Sequence, residues 1–284
     1  MSTEPSGPLP VIALRLLNGR VGSTLVMQLL ATSPAILFDR VYPYGEYRYL
    51  SYCLRAAAVI AQPHDPESDR VTPFFFGPVK MGPIPWEPTS LSRPDLGPAS
   101  AAGLWGGFSE ALRRGHPDGR WYAEKLVGSV ESVIAAGIPC RVIDIVRDPR
   151  DVLASIRSFT ARGIDGFDRD RGLSEEAYVD HFIAESKRQF EVLAETCPCE
   201  RLPLRYEDFA LDLHLLARTL GDWLGEPLDA EQVLRDRPAF TDHVTTTSAA
   251  ASIGRWREDL SSREAERIWN GLAEHLEAWG YVHE

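Results

Sequence analysis

The chain is predicted to be an α/β protein, with a parallel central sheet flanked by helices on both faces. Three observations carry this reading. A nearly unbroken apolar run, Val11 to Leu17, passes through a glycine-containing turn straight into an apolar helix. The same strand-to-helix step recurs at CRVIDIVRDPRDVLASIRSF, and further strand-like and helix-like segments alternate around it.

VIALRLL lacks the apolar/polar alternation of a half-exposed strand, so both of its faces should be covered. In Asn18 to Pro34, NGRVGSTLVMQLLATSP, residues Leu25, Leu29 and Leu30 recur at helical spacing. Ser33-Pro34 ends that helix, because the residue before proline avoids the αR region. Trp121 to Val127 reads as a strand and Ser129 to Ala136 as a short helix. Val142 to Val146 reads as a buried strand, followed by Asp148 as N-cap and Pro149 as the first helical residue. Arg201 to Phe209, RLPLRYEDF, supplies a fourth strand. Glu175 to Thr196, Leu211 to Leu224, Asp229 to Asp236 and Ser262 to Trp279 carry apolar stripes at helical spacing. Gln62 to Gly103 is rich in proline and aromatics (Phe74, Phe75, Phe76 and Trp86 among them), and is longer than a common loop, so it is expected to be an insert or cover. With no internal repeat and no linker, residues 1–284 are read as one domain.

With 44% hydrophobic and 25% charged residues, the composition is that of an ordinary globular protein. The formal net charge of -11 argues against non-specific nucleic-acid binding, which needs a basic surface. MSTEPSGPLP has no signal-like apolar core, and no apolar run approaches the ~18 residues of a membrane span. No membrane association is expected, and a cytoplasmic location is. Cys53, Cys140, Cys197 and Cys199 lack zinc-site spacing, and Cys197 and Cys199 read as reduced bystander thiols.

The first amides of a helix have no partners within it and can hold an anion. Gly19 and Gly22 let the backbone approach a ligand around Val21, Ser23 and Thr24 add hydroxyls, and Arg20 brings a forked set of charged donors. The stretch reads as a phosphate or sulfate cradle. It is not GxxxxGK[ST], because no lysine stands between Gly22 and Ser23. A plain glycine turn is the bland alternative. Arg147, at the end of a strand, and Ser155, in the next helix, can hold a second anion beside the first, since ligands of open parallel sheets gather at the strand carboxyl ends. Taken alone, Arg147 could equally be a surface arginine paired with Asp148 or Asp151.

Together these stretches resemble the PAPS-dependent sulfotransferases. GRVGSTL is similar to that family's 5′-phosphosulfate loop, RDPRDVLAS to its 3′-phosphate element, RYEDFALDLHLLARTLGDWLG to its YEDL segment and following helix, and SIGRWREDL to its C-terminal GxW element. The resemblance implies a P-loop-like sulfotransferase fold, with PAPS as cofactor and no metal. It also implies Gly254, Arg255 and Arg257 as further nucleotide-binding residues. The arginine-type loop looks closer to the carbohydrate and tyrosylprotein branches than to the cytosolic phenol branch. PYGEYRYL resembles the tyrosylprotein branch's GE element, which makes Glu46 the base; otherwise Glu46 is a solvated residue at the start of a helix beginning near Gly45. WYAEKLVGS resembles the strand that carries the family's catalytic lysine, here Lys125, with Glu124 as rival base or ion-pair partner. Two features depart from the pattern. Ala249, Ala250 and Ala251 stand where an RKG run is found, so Arg255 or Arg257 would have to substitute, and no histidine follows Lys125 in a KxH setting.

On this reading Glu46, Arg20 and Lys125 are catalytic, and the acceptor is a small molecule, glycan or peptide offering a hydroxyl or amine. A P-loop-type small-molecule kinase using ATP and magnesium, or a degenerate homologue that only binds nucleotide, stays open at this point.

Overall fold

The computed structural model describes residues 7–16, 19–41, 44–46, 48–61, 95–126, 130–162, 172–236, 246 and 248–283. Five strands form one sheet in the order β2-β3-β1-β4-β5: β1 (Val11–Leu16), β2 (Ile36–Leu37), β3 (Trp121–Leu126), β4 (Cys140–Val146) and β5 (Glu200–Arg205). Every neighbouring pair is parallel. β1 is central, so the loop that follows it lies between the carboxyl ends of β3 and β4. This is where an open parallel sheet collects ligands.

Helices cover both faces, and the two-residue period of the strands divides the core. Ile12, Leu14, Ala123, Ile143 and Ile145 point to one side, beneath α1 (Ser23–Leu30), α5 (Pro149–Thr160), α6 (Glu175–Ala194), α8 (Leu213–Leu224) and α11 (Ser262–Ala278). Val11, Ala13, Tyr122 and Val142 point to the other, beneath α2 (Tyr49–Ala61), α3 (Leu96–Gly115) and α4 (Val130–Ala135). Arg15 and Arg201, two polar exceptions in the strands, are satisfied in place. Arg15 Nε donates to Asp144 Oδ1 at 2.7 Å, and Arg201 Nε donates to Asp144 Oδ2 at 2.7 Å. Arg201 also donates to the carbonyls of Leu193 and Glu195, which fastens the end of α6 to the sheet.

Several predicted elements are observed close to their expected bounds. Asp148 caps α5, its side chain accepting from Arg150 N with Pro149 in the first turn. Ser261 and Glu264 form a reciprocal capping box on α11. α9 (Ala230–Asp236) falls where it was expected.

Four expectations need correction. RLPLRYEDF is not strand throughout: β5 stops at Arg205 and α7 (Tyr206–Leu211) begins, because Glu207 and Asp208 favour a first helical turn while Tyr206 and Phe209, three apart, share a buried face. The proline-rich insert was drawn too long, since residues 96–103 open α3. That helix buries Gly97, Ala101, Trp105 and Ser109 on one stripe against α2, where a Cβ at Gly97 would lie 3.0 Å from Ala61 Cβ. Residues 62–94, with Phe74, Phe75, Phe76 and Trp86, fall outside the described residues. Cys197 and Cys199 are not reduced: a disulfide joins them across Pro198. Finally, the helix expected near Gly45 starts at Tyr49, and β2 is a two-residue strand that no sequence period announced.

Candidate functional site

The turn after β1 is shaped by two left-handed residues. Gly22 caps α1 at φ +88° with no side-chain cap, so the helix presents its first amides to whatever lies beyond them. A Cβ at Gly22 would meet Tyr206 Cδ2 at 2.5 Å, so glycine is required by backbone and packing alike. Arg20 is also left-handed, at φ +67°. Its guanidinium lies 4.4 Å from the centre of the Phe159 ring, and its Nε donates to Ser155 Oγ at 3.2 Å. Burial lowers the Arg20 pKa to about 10, helped by the positive charges of Arg147, Arg162 and Arg255. Like charges crowded in this way call for an anion between them. Val21 anchors the turn in the core, and Ser23 and Thr24 open the helix.

Arg147, at the carboxyl end of β4, is tied into the same place. One terminal nitrogen donates to the Arg20 carbonyl at 2.9 Å and the other to the Ser252 carbonyl at 2.6 Å, while the guanidinium stacks 4.4 Å over Tyr206. The Tyr206 hydroxyl pairs with Ser252 Oγ at 2.7 Å. Arg147 Nε is buried without a hydrogen-bond partner, an orphaned donor beside the cradle. The alternative of a surface arginine paired with Asp148 or Asp151 is therefore set aside for its hydrogen bonds. Asp148 accepts from Arg150, and the Asp151 carboxylate accepts from Gly254 and Trp256.

On the other side of β1, Lys125 and Glu46 meet. Glu46 forms an isolated parallel bridge with Lys125, fixed by Lys125 N donating to the Gly45 carbonyl at 2.8 Å. Lys125 Nζ lies 3.5 Å from Glu46 Oε2 and donates to Thr24 Oγ1 at 3.2 Å. Burial lowers the lysine pKa and Glu46 opposes that shift. The backbone leading to Glu46 is left-handed at Tyr44 (φ +57°) and Gly45 (φ +69°), and a Cβ on Gly45 would meet Met27 Cε at 2.9 Å. Among the described residues, Arg20 and Tyr44 are the non-glycine positions with positive φ, and both border this site. Strain of this kind persists where the surroundings over-determine it.

Glu124 is neither Lys125's partner nor available as a base. Adjacent strand residues face opposite sides of the sheet, so Glu124 points at α2, where it caps the helix start. Its carboxylate accepts from the amides of Arg48 at 3.1 Å, Leu50 at 3.0 Å and Ser51 at 3.0 Å, from the Ser51 hydroxyl, and from Tyr122 OH at 2.6 Å.

The C-terminal element is tied to Arg147 and Tyr206 through Ser252. Ala249, Ala250 and Ala251 lead through a short 3-10 turn, Ala250–Ser252, into Gly254 at φ +72° and α10 (Trp256–Asp259). The positive charge of Arg255 acts on Arg20 while its guanidinium pairs with Asp259, Nε to Oδ2 at 2.6 Å, and Arg257 lies over Trp256 at 4.5 Å. Arg162, just past α5, and Tyr206 join the site without having been singled out for it. Arg162 carries no motif signal, and Tyr206 stood inside a recognised stretch but was read as strand.

Residues 19–230 match the model of the Sulfotransferase family. The sulfotransferase domain of the Synechococcus PCC 7002 olefin synthase is similar in structure, with TM-score 0.54 and 18% identity, covering 99% of this chain and 98% of that one. So is the sulfotransferase domain from the curacin biosynthetic pathway, with TM-score 0.50 and 16% identity, covering 97% and 99%. No curated protein sequence matches. The structural likenesses support the fold, and the match across most of the length, with the turn after β1 and Arg147 inside it, shows that this chain belongs to the sulfotransferase family.

Proposed function

We propose that the chain transfers a sulfuryl group from PAPS to a hydroxyl or amine acceptor and releases adenosine 3′,5′-bisphosphate. The observation that carries this reading is the convergence of Arg20, Arg147, Arg162 and Arg255 at the uncapped start of α1, with an orphaned Arg147 nitrogen beside them. These residues suit a ligand with two separated anionic ends. Gly19, Arg20, Val21, Gly22, Ser23 and Thr24 would hold the phosphosulfate. Arg147, Ser155, Gly254, Arg255 and Arg257 would hold the 3′-phosphate. When bound, PAPS supplies the sulfuryl group and a stable leaving group.

The chain's own part is proton transfer and charge stabilisation. Glu46 takes the acceptor proton at its carboxylate, a general-base role. Lys125, buried and poised between Glu46 and Thr24, sets a positive charge where negative charge develops, and Arg20 does the same from the other side of the helix start. A lysine here does not meet the spacing a triphosphate loop requires, which disfavours the kinase reading.

Calorimetry with adenosine 3′,5′-bisphosphate, with and without magnesium, combined with labelled PAPS offered to small-molecule, glycan and peptide acceptors, tests this. Metal-independent nucleotide binding and label transfer are expected. Binding of ATP with magnesium in preference to the bisphosphate would sink the proposal, and nucleotide binding with no transfer to any acceptor would leave a protein that only binds.

A further inference from the structure

Asp151 stands in the first turn of α5, and yet its carboxylate is not turned back onto its own helix. It is 1% exposed and reaches across the fold: Oδ2 accepts from Gly254 N at 2.7 Å and Oδ1 from Trp256 N at 3.0 Å. The two amides flank Arg255, so the arginine leaves the chain between two fixed points. The same segment is held again two residues earlier, where the Ser252 carbonyl accepts from Arg147 and Ser252 Oγ pairs with Tyr206. Before it come three alanines with no charge to offer the pocket. Only a carboxylate presents two acceptor oxygens and no donor, which is what two parallel N–H groups need.

We propose that Asp151 is a positioning residue, which staples the Gly254–Trp256 turn and so holds Arg255 against Arg20 in the nucleotide pocket. This rests on the reading of that pocket as a nucleotide site. The staple is sensitive to protonation, because a neutral acid turns one of its two oxygens into a donor. Burial raises the Asp151 pKa to about 6 and Asp148 adds to the rise, while Arg147 and the two amides oppose it. Arg150, on the same helix, lies over Trp256, and Arg255, within the turn, adds its positive charge to those acting on Arg20.

The test titrates adenosine 3′,5′-bisphosphate into the full chain and into Asp151→Asn, Arg255→Ala and the double variant, from pH 5 to pH 8, with thermal unfolding followed in parallel. Each single change is expected to weaken binding about tenfold at pH 7.5. The double variant should be no weaker than the worse single one, since both remove the same contact. Wild-type affinity should fall below pH ~6 more steeply than that of Asp151→Asn. The ligand's own phosphate, with a pKa near ~6, titrates in both, so the difference between the two profiles is what is read. If Asp151→Asn does not fold, hydrogen exchange of residues 252–257 in the wild type, corrected for intrinsic rate, reports the staple directly: protection should drop below pH ~6. Multiplicative losses, identical pH profiles, or protection that ignores pH would overturn the assignment of Asp151. Absence of bisphosphate binding by the wild type would instead overturn the nucleotide reading, and this inference with it.

Discussion

Glu46, Lys125 and Glu124 illustrate how neighbouring polar residues acquire unlike roles. Lys125 shares a sheet face with Ala123 and reaches Thr24, while Glu124 takes the opposite face and is wholly consumed by α2 and Tyr122. Glu46→Gln keeps the size and removes the proposed base. It is expected to slow transfer by about 10²–10⁴-fold with bisphosphate affinity little changed, in rate and calorimetric measurements on the same preparation. Lys125→Met should cost about 10²–10³ in turnover, in the same assay. Glu124→Ala should act on stability instead. It strips several buried donors of their acceptor, at about 1–3 kcal/mol for each group left unsatisfied, and a lowered denaturation midpoint is the readout. A purely catalytic defect with unchanged stability would show that the cap has been misread.

At the scale of elements, Arg20, Lys125 and Arg147 each stand where a strand gives way to a turn or helix. The β1–α1 turn works because Gly22 accepts φ +88° while Tyr206, from α7, presses on it. Gly22→Ala combines a disfavoured backbone with an overlap, and should both destabilise the fold by more than about 1 kcal/mol and weaken nucleotide binding, seen in unfolding curves and calorimetry together. α1 was legible from apolar spacing and a closing proline, α8 from apolar spacing, and α5 from an N-cap aspartate with proline behind it. α3 was missed because most of its buried stripe, Gly97, Ala101 and Ser109, is too small to announce a helix, with Trp105 its one large member. α7 was missed because tertiary contacts, Tyr206 with Arg147 and Ser252, settle what six residues become.

For the whole molecule, two buried or bridged carboxylates pull the pH dependence of stability in opposite directions. The hydrogen bond from Arg157, with those from Ser261, outweighs burial and lowers the Glu264 pKa to about 2. The stability it contributes is present above its ordinary value of 4.5 and is lost as pH falls toward 2. Asp151 is the reverse case, raised from 3.8 to about 6 by burial, so measured against the unfolded chain stability declines as pH rises through that window, whereas within the fold the Gly254 and Trp256 amides hold the charged form. Denaturant titrations at a series of pH values should show Glu264→Gln flattening the acid limb below pH ~4.5. An unchanged acid limb would mean that the Arg157 pair contributes nothing in solution. Residues 282 and 283 are fastened to α5: Arg150, lying near Trp256 and Trp269, donates to the carbonyls of Val282 and His283. No described helix is long and apolar enough to cross a membrane.

By itself the sequence determined the parallel α/β class and marked out the two loops read as anion cradles, with Arg20, Lys125 and Arg147, because strand burial, glycine placement and helix starts are written in local spacing. Only the tertiary structure decided that Lys125 pairs with Glu46 and not Glu124, that Ser155 serves Arg20, and that Asp151 fastens a turn more than a hundred positions away. The physical reason is strand order. Placing β1 between β3 and β4 is a long-range choice, and it alone sets which carboxyl-end residues become neighbours.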